Sequence, residues 1–145
     1  MRDMLQFYID GRWVDPVRPK RFNVINPATE EVVGRISLGS AEDVDKAVAA
    51  AKAAFEGYSA TSREQRIALL ERILEVFATR HDDVAKAIME EMGAPWKLAK
   101  HAQAASGPQH IKAAIEVLKT FAFEETLGTT RVVKEAIGPC ALITP

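Results

Sequence analysis

One cysteine and three histidines are all that the 145 residues offer toward thiol or metal chemistry. A lone thiol closes no intrachain disulfide, so no oxidising compartment is implied and a cytoplasmic location is expected. His81, His101 and His110 lack the three- or four-residue spacing that sets two ligands on one helix face, and no metal site is expected. No apolar run approaches the roughly 20 residues of a membrane span. The opening segment MRDMLQFYIDG carries Arg2, Asp3, Gln6 and Asp10 where a signal peptide needs unbroken apolar sequence. Charge of one sign is missing too: 19 basic residues against 20 acidic ones leave a net charge of -1, which offers no field to gather nucleic acid or anionic lipid. The densest basic cluster, Arg18, Pro19, Lys20 and Arg21, sits in a proline-broken stretch and reads as a solvated turn.

Catalytic constellations are equally scarce. No glycine-rich phosphate loop of the dinucleotide or nucleoside triphosphate type occurs. The acid pairs Glu30-Glu31, Asp82-Asp83, Glu90-Glu91 and Glu124-Glu125 fall at expected element ends and read as caps and solvated faces. Cys140 lies in the apolar run CALIT with no histidine nearer in sequence than His110. Without a base to make the thiolate it reads as a buried strand residue that packs as a small hydrophobe. No catalytic residue is assigned.

What is present is a clear change of period. Asp10-Gly11, set between Leu5, Phe7, Ile9 and Trp13, Val14, is a favoured pair for a tight hairpin. A second hairpin is expected around INPATEE, between Phe22, Val24 and Val32, Val33, Ile36. From Ser40 the apolar residues recur at helical spacing: Val44, Ala47, Val48, Ala51 and Phe55 share a face, with Ser40 as cap and Gly57 as terminator. Ser62 and Gln65 stand at capping-box spacing before the stripe Ile67, Leu70, Ile73, Leu74 and Phe77. A short third helix is expected through DDVAKAIMEEM, capped by Asp82 or Asp83 and stopped by Gly93 in the left-handed conformation. Pro95 suits the start of a fourth helical region, with a kink or break near Ser106 before Pro108 and a continuation through IKAAIEVLKTF. Two strands are expected last, Arg131 to Glu135 and Cys140 to Thr144.

Taken in order, FYIDGRWV, FNVINPATEEVVGRISLGSAEDVDKAVAAAKAAF, SREQRIALLERILEVFATRHDDVAKAIMEEMGAP and VVKEAIGPCALITP resemble the N-terminal part of the aldehyde dehydrogenase superfamily. The resemblance implies an α/β fold left incomplete: β-hairpins, amphipathic helices, an oligomerisation strand around Thr130 to Lys134, and the first strand of a Rossmann-like cofactor lobe. Strands and turns would fill residues 1–39, helices 40–124 and strands 129–145. Full-length members oxidise an aldehyde to a carboxylic acid with NAD or NADP. A cysteine thiolate attacks the carbonyl, N–H groups hold the oxyanion, hydride leaves to the nicotinamide, and a glutamate-activated water releases the acid from the thioester. The family's nucleophile, glutamate base and pyrophosphate loop would all lie beyond Pro145, so the chain is expected to be inactive alone and to bind cofactor poorly.

What carries over residue by residue is the strand end Ile143, Thr144 and Pro145, which matches the cofactor-cleft wall. The implied partners are an aldehyde in the parent enzyme and copies of the same chain, as a homodimer or homotetramer. Two departures stand out: the family commonly has a valine and a glycine near Pro139 and Ala141, and Gly93-Ala94 offers no carboxylate where some relatives help to bind a monovalent cation. The rival readings are a non-catalytic helical module that binds or oligomerises through Ser40 to Phe123, and a thiol enzyme built on Cys140.

Overall fold

The computed structural model describes residues 2–143. Five short strands come first: β1 (Arg2–Met4), β2 (Phe7–Ile9), β3 (Arg12–Val14), β4 (Arg21–Ile25) and β5 (Val32–Ser37). Strands β2 and β3 form the hairpin that Asp-Gly favours, with φ of 54° at Asp10 and 73° at Gly11. Strands β4 and β5 pair antiparallel around the INPATEE turn, and β1 adds to the other edge of β5 in parallel, giving the order β1-β5-β4. The parallel pair is tied across its face by Arg35, whose Nε and Nη2 donate to Asp3 at 2.9 and 2.7 Å.

Helix α1 (Ala41–Ser59) starts on a carboxylate clamp. Oδ2 of Asp43 accepts from the Ser40 backbone N–H at 2.9 Å and from its hydroxyl at 2.8 Å, while Oδ1 accepts from Val17 N–H at 2.9 Å. Three donors on one carboxylate hold its pKa below the usual value, the backbone N–H of Ser40 being the largest cause and that of Val17 the next. Gly57 does not stop this helix, which runs on to Ser59. The apolar stripe of α1 is only partly covered, since Val44 and Val48 remain 59% and 41% exposed.

Helix α2 (Arg63–Met92) is the long element of the fold. Its N-terminus is the expected reciprocal box: Ser62 N–H donates to Gln65 Oε1 at 2.8 Å, and Gln65 N–H to Ser62 Oγ at 3.2 Å. The separate helix expected through residues 82–92 is instead the second half of α2. Asp82 and Asp83 lie in its interior and cap nothing; they form ion pairs with Lys100 and Arg80. No glycine or proline interrupts residues 63–92, so the helical ladder propagates past the polar pair. Gly93 ends it at φ 67°.

The last helical segment contains no break. Helix α3 (Trp96–Leu98), a π turn (Ala99–Gln103) and α4 (Ala104–Thr120) follow one another without leaving helical geometry. Pro108 lies inside α4, and the irregularity sits upstream in the π turn rather than at Ser106. A π turn inserts one residue and shifts the face of everything before it, which accommodates a proline without ending the helix. The core forms where the π turn and α4 cross α2: Ala85 and Ala99 are 0% exposed, Ala104 2% and Ile115 5%. Three alanines at the contact let the helix axes approach closely.

After α4 comes a two-stranded hairpin, β6 (Glu124–Leu127) and β7 (Thr130–Val133). The buried strand expected over Cys140 to Thr144 is not formed: residues 134–143 belong to no helix or strand. An apolar run becomes a strand only against a neighbouring strand that takes up its N–H and C=O groups, and among the described residues none pairs with it.

Candidate functional site

Of the site residues suggested by sequence, only Ile143 falls among the described residues. Ile143 is 92% exposed, as are Leu142 at 92% and Ile137 at 94%, while Thr144 and Pro145 lie outside the described residues. Cys140 is exposed rather than packed, and its thiol reaches only the carbonyl of Gly138 at 3.8 Å. Among the described residues no base is hydrogen-bonded to it. A dinucleotide needs a glycine turn feeding a helix N-terminus at a strand end. The described residues contain no such cradle, so they do not fit the cofactor.

His81 sits 3.4 Å from Asp82, which Lys100 also grips at 2.8 Å; the lysine is the main reason the Asp82 carboxyl is held below its usual range. Among the described residues no group of three His, Cys, Asp or Glu side chains is placed to hold a metal ion. The MGAP segment does meet the INPATEE turn: a Cβ on Gly93 would lie 2.9 Å from Ala28 N and 3.1 Å from Asn26 Oδ1. Asn26 Oδ1 is already used, accepting Ala28 N–H at 2.8 Å. This contact joins the sheet to the end of α2, and Arg2 to Glu90 at 2.6 Å reinforces it.

One concavity was not visible in the sequence. A cleft of about 790 Å3 opens between the end of α1, the start of α2 and the base of the β6–β7 hairpin, lined among others by Phe55, Arg63, Arg66, Phe121, Phe123 and Lys134. Arg63 donates from Nη1 and Nη2 to the carbonyls of Lys119 at 2.8 Å and Phe121 at 2.6 Å, where the end of α4 presents unpaired carbonyls. Arg66 donates to Thr61 Oγ1 and to the carbonyl of Ser59, each at 2.9 Å. Their guanidinium carbons stand 5.6 and 5.9 Å from the Phe123 ring centroid, within cation–π range. Two arginines one turn apart at a helix start are a common pattern. Nothing in the sequence tells that Phe121 and Phe123 return to them.

With the geometry in view, comparison with known proteins is decisive on family. The sequence pattern of the aldehyde dehydrogenase family matches residues 13–145. The chain is 54% identical over its whole length to a 3-succinoylsemialdehyde-pyridine dehydrogenase of a Pseudomonas species, and spans 31% of that protein. Its fold superposes with a TM-score of 0.86 on an aldehyde dehydrogenase of Bartonella henselae, at 46% identity, covering 89% of this chain and 27% of that one. A Pseudomonas syringae aldehyde dehydrogenase mutant in complex with NAD+ and octanal matches at TM-score 0.84 and 45% identity, over 87% of this chain and 26% of that one. The chain thus spans less than a third of the length of these relatives, and corresponds to their N-terminal portion. It belongs to the aldehyde dehydrogenase family, as an incomplete α/β domain.

Proposed function

We propose that this chain is the N-terminal portion of an NAD(P)-dependent oxidoreductase that converts an aldehyde to a carboxylic acid through a cysteine thioester, and that by itself it is inactive. The observation that carries this reading is the 54% identity running the whole length of the chain while reaching over only 31% of a dehydrogenase. When bound in the parent enzyme, NAD or NADP supplies the hydride acceptor.

The contribution of these residues is to build the outer helical layer and to aim two projections. The β6–β7 hairpin has only one pairing partner per strand, so each strand keeps an open edge that can add to another subunit of a homodimer or homotetramer. The stretch that ends in Ile143, Thr144 and Pro145 would become a buried strand and the start of the cofactor wall once neighbouring strands flank it. No helix among the described residues is long and apolar enough to cross a membrane, and a cytoplasmic enzyme is the setting we assign.

Grafting tests this reading. Replacing the matching segment of the Pseudomonas dehydrogenase with this chain should give a chimera that still oxidises its aldehyde, because the graft brings the outer layer and the first strand of the cofactor wall and leaves the parent's nucleophile, base and pyrophosphate loop in place. A folded chimera with the parent's oligomeric state and no turnover would refute the assignment.

A further inference from the structure

The cleft that holds Arg63 and Arg66 contains more cation than its surroundings use. The two side chains emerge one turn apart on α2, a spacing at which like charges repel, and both are half-buried, which removes water that would screen them. Each guanidinium has five N–H donors, of which two are engaged, always by a carbonyl or a hydroxyl. Among the described residues neither has a carboxylate partner. The other charges of the cleft are already committed or marginal: Lys134 pairs with Glu125 at 2.8 Å, Glu124 pairs with Arg131, and Glu135 is exposed. The lining is mixed: Ser59, Thr61, Glu124, Lys134 and Glu135 alternate with the apolar Phe55, Phe121, Phe123 and Val133, and the Phe123 ring lies against both guanidinium groups.

We propose that this cleft is a binding site for a small monocarboxylate with an aromatic or apolar body, the carboxylate bridging Arg63 and Arg66 and the body lying against Phe123 and Val133. A planar carboxylate takes parallel N–H bonds from a guanidinium, and the ring faces reward an apolar body that an inorganic anion lacks. The exposed Glu135 carboxylate at the edge disfavours a second negative charge. The proposal uses only residues of this chain and does not depend on the oxidoreductase reading.

The test is titration of the 145-residue protein with benzoate, benzamide and sulfate, followed by the Nε–H signals of Arg63 and Arg66 in NMR spectra. Benzoate should saturate with a dissociation constant on the order of 1 mM, with both arginine signals moving together. Benzamide, its neutral near-isostere, and sulfate, which has no apolar body, should each bind at least tenfold more weakly. The double substitution Arg63→Gln with Arg66→Gln should weaken benzoate at least tenfold. Equal binding of benzamide overturns the role of the arginines, and equal binding of sulfate overturns the role of the aromatic wall. Because those two comparisons use the unmodified protein, the proposal can fail even if the double variant does not fold.

Discussion

Asp43 Oδ1 accepts the backbone N–H of Val17 at 2.9 Å, so a single side chain both caps α1 and pins the loop that leads into β4. Asp43 is 4% exposed, the one charged residue in the buried set. Its carboxyl pKa is lowered by these donors, so the stabilisation it gives is present above the unfolded value near 3.8 and is lost as pH falls through the lower folded value. Asp43→Asn should therefore be less stable than the parent at neutral pH, with the gap closing only below about pH 4. Thermal unfolding of both proteins across that range checks it, and a gap that stays constant through acid pH would contradict the cause given.

Gly93 tests the junction of sheet and helices. Its φ of 67° already disfavours an L side chain, and a Cβ there would press on Ala28 N at 2.9 Å, a backbone atom that cannot swing aside. Gly93→Ala should cost at least the roughly 1–2 kcal/mol of a left-handed alanine, read as a lower midpoint in urea with an unchanged slope.

Ala99 lies in the π turn that packs on α2 and is 0% exposed. Ala99→Leu should destabilise by about 1–3 kcal/mol, because the helices must part to admit the larger side chain. Ala53→Leu, on the exposed side of α1, should leave the unfolding midpoint nearly unchanged and serves as the control.

These sites also mark how far the sequence could be read. The Asp10-Gly11 turn, the Ser62 box and the Gly93 stop are local chemistry, in which a residue's own backbone preferences decide the outcome, and they appear where they were expected. The division of α2 at Asp82-Asp83 was wrong because two adjacent acids resemble a cap in sequence, while in the structure Lys100 and Arg80 offset their charge. The kink expected near Ser106 was placed too late, since the π turn at residues 99–103 has no composition of its own. Ser40 was legible as a cap, but Val17 as the third donor to Asp43 was not, being 26 residues away. The Arg63–Phe123 cleft was missed for the same reason: its walls come from segments about sixty residues apart.

The apolar end illustrates a different limit. CALIT has the composition of a buried strand, yet composition creates a strand only where partners exist, and residues 140–143 have none. Amide hydrogen exchange in the isolated protein should show Cys140 to Ile143 unprotected, while Ala85 and Ile115 exchange slowly. Cys140, exposed as it is, should be readily reached by an alkylating reagent. Rapid alkylation therefore does not distinguish a catalytic cysteine from an inert one. Loss of an activity on Cys140→Ser still does.

We expect these 145 residues alone not to carry the chemistry of this family. The direct measurement is NADH or NADPH formation when the purified protein is mixed with NAD or NADP and a panel of aldehydes that includes octanal. The account predicts no signal above a protein-free blank. Turnover that scales with protein and disappears in Cys140→Ser would contradict it, and would make the lone thiol a nucleophile after all.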